Sequence, residues 1–168
     1  MTSADLLVDA FDRIKSVVGR ALDGLTDDDL AAQVGPGANS IGWLIWHLTR
    51  IQDDHICAVA GLEQAWTGQG WYERFGVPFD PAEHGYGHSE DQVVEVKASA
   101  ELLRGYHEAV HARTHEYVAT LTDLDYDRVV DTSFDPPVTL GVRLVSVISD
   151  DLQHAGQAAY VKGLLQRR

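Results

Sequence analysis

Four long stretches of this chain repeat apolar residues at three- and four-residue intervals, and a chain patterned this way is driven to pack helix against helix. The first takes Ser3 as its N-cap and carries Leu6, Leu7, Ala10, Phe11, Ile14, Val17, Val18 and Leu22 on one stripe. TDDDLAAQVGPGANS follows as a short capped turn of helix and a Gly/Pro loop. Ser40 caps a second helix, IGWLIWHLTRIQDDHICAVA, which Gly61 ends. A third runs from about Ser99 to Leu121 with Leu102, Leu103, Tyr106, Val110, Tyr117 and Leu121 inward, and Thr139 caps a fourth that reaches about Gln166. The β-branched run GVRLVSVIS has strand character locally. Helical spacing continues through Leu152, Ala155, Ala159 and Leu164, so helix is expected there. The expectation is an all-α four-helix bundle in a single domain over residues 1–168, with a long connection between helices two and three.

That connection, Leu62 to His88, replaces periodicity with Gly, Pro and aromatic residues, and a link of this length in a small domain usually serves function. Composition removes several classes of function. A formal charge of -13 gives a phosphate backbone no basic surface to bind, so no nucleic-acid partner is expected. No apolar run approaches the roughly 18 to 20 residues of a membrane span, and MTSADLLVDAFDR lacks the pattern of a secretory signal. No membrane partner and a cytoplasmic location are therefore expected. The single cysteine, Cys57, leaves only His and carboxylate for any metal site, and reads as a small buried hydrophobe rather than a nucleophile.

The chemistry-bearing pattern lies in VISDDLQHAGQAAYVKGLL. Asp150 and His154, at i and i+4, point the same way from one helix and can share a ligand, and Gln157 extends the strip by a turn. On helix two the same geometry aligns Trp43, His47 and Asp54, with Arg50 and Ile51 beside them. If the two strips meet, His47, Asp150 and His154 offer two neutral nitrogens and a carboxylate, a set suited to zinc or another divalent ion with positions left open. Asp-x-x-x-His arises on any long helix by chance, and a surface Asp bonded to His is the plain alternative. Asp151, at i, i+3 to His154, competes with Asp150, and spacing leaves the choice open. His107, His111 and His115 form a second possible chelate but sit among Glu108 and Glu116, which reads as a solvated or partly covered face. Trp43 and Trp46 read as core or pocket wall. Arg143, seven residues before Asp150, either forms a surface salt bridge or meets an anionic substrate group.

SIGWLIWHLTRIQDDHI, GWYERFGVPFDPAEHGYGHS and ISDDLQHAGQAAYVKGLL resemble the DinB/YfiT-like metalloenzyme superfamily in its mycothiol-transferase branch, over nearly the whole chain. The resemblance implies a four-helix bundle with a metal ligand at His47 and another at the His154 of HAGQ. It places the third ligand at Asp150 rather than Asp151, where many relatives carry His and related maleylpyruvate isomerases carry an acid. The motif W-x-x-x-x-W-x-x-R-F-G-x-P followed by GYGH implies a substrate-covering loop, with Trp66, Trp71, Phe75, Tyr86 and His88 as wall residues.

The function implied is a divalent-metal-dependent transferase, zinc first among the ions, that conjugates mycothiol to electrophilic small molecules in detoxification. Gln157, Trp43, Arg143 and Arg50 would contact the cosubstrate or substrate. The scarcity of Lys fits an actinobacterial source. Two other readings stand beside it: a mycothiol-dependent isomerase of an unsaturated diacid such as maleylpyruvate, which needs the cations of Arg50 and Arg143, and a non-catalytic metal-stabilised binding module. The partners expected are a low-molecular-weight thiol and a small electrophile, with monomer and homodimer both compatible.

Overall fold

The computed structural model describes residues 1–167. Its frame is four long helices: α1 (Ser3–Leu22), α3 (Ile41–Ala60), α7 (Ala100–Val118) and α8 (Leu140–Leu165). Short helices α2 (Asp27–Ala31), α4 (Ala65–Gly68), α5 (Trp71–Phe75) and α6 (Glu90–Val93) punctuate the connections. Strands β1 (Val129–Asp131) and β2 (Val138–Thr139) pair antiparallel just ahead of α8. This hairpin falls in a stretch that reads only as a linker in the sequence. Around the bundle α3 packs on α8 and α7, and α1 packs on the same two, so α1 and α3 sit on a diagonal. No helix among the described residues is long and apolar enough to cross a membrane.

Local chemistry sets the helix ends. Ser40 and Thr139 cap α3 and α8 as expected, and Gly61 closes α3 in the left-handed conformation, φ 67°. At the first helix the cap is Thr2 and not Ser3: the Thr2 hydroxyl accepts from the Asp5 backbone N–H while the Asp5 carboxylate accepts from that of Thr2. Reciprocal satisfaction of two otherwise unpaired donors favours this register. VRLVSVI is helical because Leu144, Val147, Ala155 and Ala158 recur at helical spacing and bury completely, which a strand could not arrange.

Every residue of α3 from Ile41 to Asp53 is buried. An outer helix of a bundle would keep one face wet; here segment 62–88 lies across that face as a strap. Arg50 fastens it. The buried guanidinium donates from Nε to Glu83 O (3.2 Å), from Nη1 to Gln64 Oε1 (2.7 Å) and from Nη2 to Pro81 O (3.2 Å), with Trp66 stacked 5.0 Å away. Asp53, one turn on, accepts from the backbone N–H groups of Ala65 and Trp66 and from the Tyr106 hydroxyl. The strap's aromatics divide accordingly. Trp66, Trp71 and Phe75 pack around Tyr106 of α7 as core, whereas Tyr86 is exposed.

Of the α7 histidines expected on a solvated or partly covered face, His115 is exposed, whereas His107 and His111 are buried. His107 is buried with its Nδ1 3.2 Å from Thr49 Oγ1, and buried His111 lies 2.8 Å from Asp12. Both sit where neighbouring helices close over α7, so the adjacent Glu108 gives no measure of their own exposure.

Candidate metal centre

The α3–α8 seam brings together the residues that spacing singles out. His47, Asp150 and His154 each present a ligand atom within 4.8 Å of the other two, and among the described residues no other His, Cys, Asp or Glu set of three does so. The imidazoles of His47 and His154 lie 4.6 Å apart at a steep angle of 75°. His47 is buried; His154 and Asp150 keep 19% and 32% of their side-chain surface, so the triad opens to solvent on the α8 side.

His47 is fixed from two directions. Its Nδ1 donates to His84 O across 2.5 Å, which selects the tautomer that leaves Nε2 as a lone-pair donor. Trp43 stacks flat on the ring at 4.6 Å and 12°. Trp43 Nε1 in turn donates to His88 Nδ1 (3.2 Å), and His88 Nε2 donates to Glu83 (3.1 Å). His84 reaches this position because Gly85 follows it: φ is +98°, and a Cβ there would stand 2.7 Å from His47 Nδ1 and 3.0 Å from Trp46. The positioning roles of His84 and Gly85 are missed by a search for ligand-type spacing. Their only trace in the sequence is the glycine pair of GYG.

The electrostatics suit a cation. Burial, above all, pushes His47 down to about 4, so it is neutral at pH 7. Burial also works against charge on Asp150, but the neighbouring His154 and His47 outweigh it and hold the carboxyl below its ordinary value. His154 is shifted up, because its contacts with Asp150 outweigh its own burial. His154 Nδ1 bonds the Asp150 carbonyl (2.9 Å) and lies 3.2 Å from Oδ2, yet Oδ2 is buried with no hydrogen-bond partner. A carboxylate and two imidazoles that bring their ligand atoms within 4.8 Å of one another form a set that a divalent ion would satisfy. Two nitrogens and one oxygen leave further coordination positions for other ligands.

Asp151 points away from the triad into the bundle, fully buried with both oxygens unpartnered, and burial beside Asp150 pushes its pKa well up. Gln157, one turn beyond His154, is exposed and makes no hydrogen bond among the described residues. Arg50 serves the strap. Arg143 donates from Nη2 to Asp131 (2.8 Å), two turns of α8 before Asp150. Cys57 is buried beside Asp53, and burial and that carboxylate push its thiol up to about 11, which removes it as a nucleophile.

Comparison with known proteins bears on this site. No curated protein matches the chain. A solved structure described as a conserved protein from Enterococcus faecalis superposes with a TM-score of 0.93 at 30% identity, covering 100% of this chain and 99% of that one. A family model for mycothiol-S-transferase matches residues 6–166. With its all-α bundle, this chain belongs to the mycothiol-S-transferase family, a DinB-like family.

Proposed function

We propose that the protein is a divalent-metal-dependent S-transferase that conjugates mycothiol to small electrophiles, with His47, Asp150 and His154 as the metal ligands. The observation that carries this reading is the convergence of His47, Asp150 and His154, whose ligand atoms lie within 4.8 Å of one another at the seam. A bound divalent ion would lower the pKa of a thiol from about 8.5, so that the thiolate predominates at neutral pH. The sulfur's electron pair forms the new C–S bond, the leaving group departs with its own bonding pair, and the thiol proton passes to solvent. A thioether results; an epoxide or activated alkene takes up the proton in place of releasing a leaving group.

The chain's residues position this chemistry. His47 is held neutral by burial and aimed by His84 O, so no proton has to leave it before it ligates. Trp43 and the His88–Glu83 pair close one side of the centre against water. Gln157 stands at the solvent side, where its amide can orient the incoming thiol. The diacid isomerase reading is weakened, because Arg50, one of the two cations it calls on, is committed to the carbonyls of the strap.

The test is the rate of conjugate formation between a fluorogenic alkylating agent and mycothiol, with glutathione alongside, before and after metal is stripped and zinc restored. Zinc-dependent, mycothiol-selective turnover is expected, and His154→Ala should lose both the bound ion by elemental analysis and the rate. Full turnover by metal-free protein would refute the reading.

A further inference from the structure

Along the α3–α8 seam from the triad lies a cavity of about 450 Å³ whose lining includes His55, Val59, Arg128, Val130, Asp131 and Arg143. His47 pairs with Asp150 and His154 at one level and His55 with Arg143 at the next, so the two helices run antiparallel here. Seven residues from Asp150 back to Arg143, at 1.5 Å each, put the cavity about 10 Å from the triad. His55 lines the cavity about two helical turns along α3 from His47.

The cavity is unlike the rest of the surface. The chain carries 26 acids against 13 Lys and Arg, yet two guanidiniums meet here. Arg143 spends only Nη2, on Asp131, whose other oxygen is taken by the Ser133 N–H and hydroxyl. Arg128 also spends only Nη2, on Val59 O (3.1 Å) and the Tyr117 hydroxyl (2.9 Å). Among the described residues, Nε and Nη1 of both arginines therefore make no hydrogen bond. Two of the acids nearby are engaged elsewhere: Asp54, 3.6 Å from His55, accepts from Gln64, and Asp125 accepts from the backbone N–H and hydroxyl of Thr122. Guanidinium forks held in place with donors to spare match a planar carboxylate, and Val59 and Val130 supply apolar wall for a methylene arm.

We infer that this cavity is a carboxylate subsite, so that the electrophile carries an acid group about 10 Å from its reacting carbon and is held there by Arg143 and Arg128. This rests on the transferase reading of the triad, whose substrate class it narrows.

The test compares N-(iodoacetyl)-6-aminohexanoate with its N-methylamide as electrophiles for zinc-loaded protein and mycothiol. The thiol is the same in both arms, so the ratio of kcat/KM reads the electrophile's carboxylate alone. A preference for the acid of roughly ten- to a hundredfold is expected, the size of a charge-assisted hydrogen-bonded pair. It should fall to about one in Arg143→Gln and partly recover in Arg143→Lys; Arg128→Gln, at an exposed residue, serves where the first variant folds poorly. A ratio near one in the wild type, or one that survives both Gln variants, overturns the subsite. Absence of any conjugation sinks the transferase reading instead. Calorimetric titration with 6-acetamidohexanoate and its amide then decides the cavity on its own: acid-selective binding lost in the Gln variants upholds it, and equal binding overturns it.

Discussion

His47 owes its orientation to a backbone carbonyl, and that carbonyl owes its place to a residue with no side chain. Gly85→Ala would put a Cβ 2.7 Å from His47 Nδ1 in a backbone conformation that alanine resists, so the loop must withdraw and take His84 O with it. Zinc affinity is expected to fall about 10- to 100-fold, measured by competition with a chromophoric chelator, while helicity is retained. Unchanged affinity would mean that His47 needs no tautomer lock.

Buried His107 makes the fold sensitive to acid. Burial, followed by the neighbouring His111, pushes it down to about 3, against an ordinary value of about 6.5. Below pH 6.5 the unfolded chain takes up a proton that the folded chain refuses, so stability falls as pH drops toward 3, by up to about 1.4 kcal/mol per pH unit. His107→Leu should flatten the decline of Tm between pH 6 and pH 4. A slope equal to the wild type's would assign the acid sensitivity to other groups.

At the scale of elements, the strap and α3 form one unit through Arg50. Arg50→Met leaves the carbonyls of Pro81 and Glu83 without their donor and the Asp53 carboxylate, 4.0 Å away, without its cation. A loss of about 3–5 kcal/mol is expected, the usual cost of removing one partner from a buried charged pair. Limited proteolysis should then cut within residues 62–88 before the bundle unfolds, since residues 81–83 lose their anchor and the strap keeps only its aromatic packing and the Asp53 bonds at Ala65 and Trp66. Cleavage that appears only with global unfolding would show that the aromatic cluster holds the strap without the arginine. The length and aromatic content of this segment mark it in the sequence as more than a linker, but covering the outer face of α3 is a role that only its packing reveals.

For the whole molecule, one hydrophobic core runs through all four long helices, with Phe11, Leu44, Leu103 and Leu144 each 1% exposed or less. Residues 1–168 should therefore unfold in a single transition, with circular dichroism and tryptophan fluorescence superimposed. Zinc should raise its midpoint in proportion to the logarithm of free metal, because an ion bound at the seam is absent from the unfolded chain. Two separated transitions would show that the chain does not fold as one cooperative unit.

What depends on near neighbours is legible in the chain: four helices, the caps at Ser40 and Thr139, the stop at Gly61, and the alignment of Asp150 with His154 on one strip. Each follows from a 3.6-residue repeat or from a side chain reaching a backbone group three residues away. That His47 meets this strip emerges only from packing, because the two helices are separated by the strap and all of α7. Packing alone decides that Arg50 faces the strap, since a helix buried on all sides has no polar face to betray its orientation. It decides as well that His107 is inside and Tyr86 outside. Burial is a property of whatever element comes to lie on top, and no residue's own neighbours in the chain specify that.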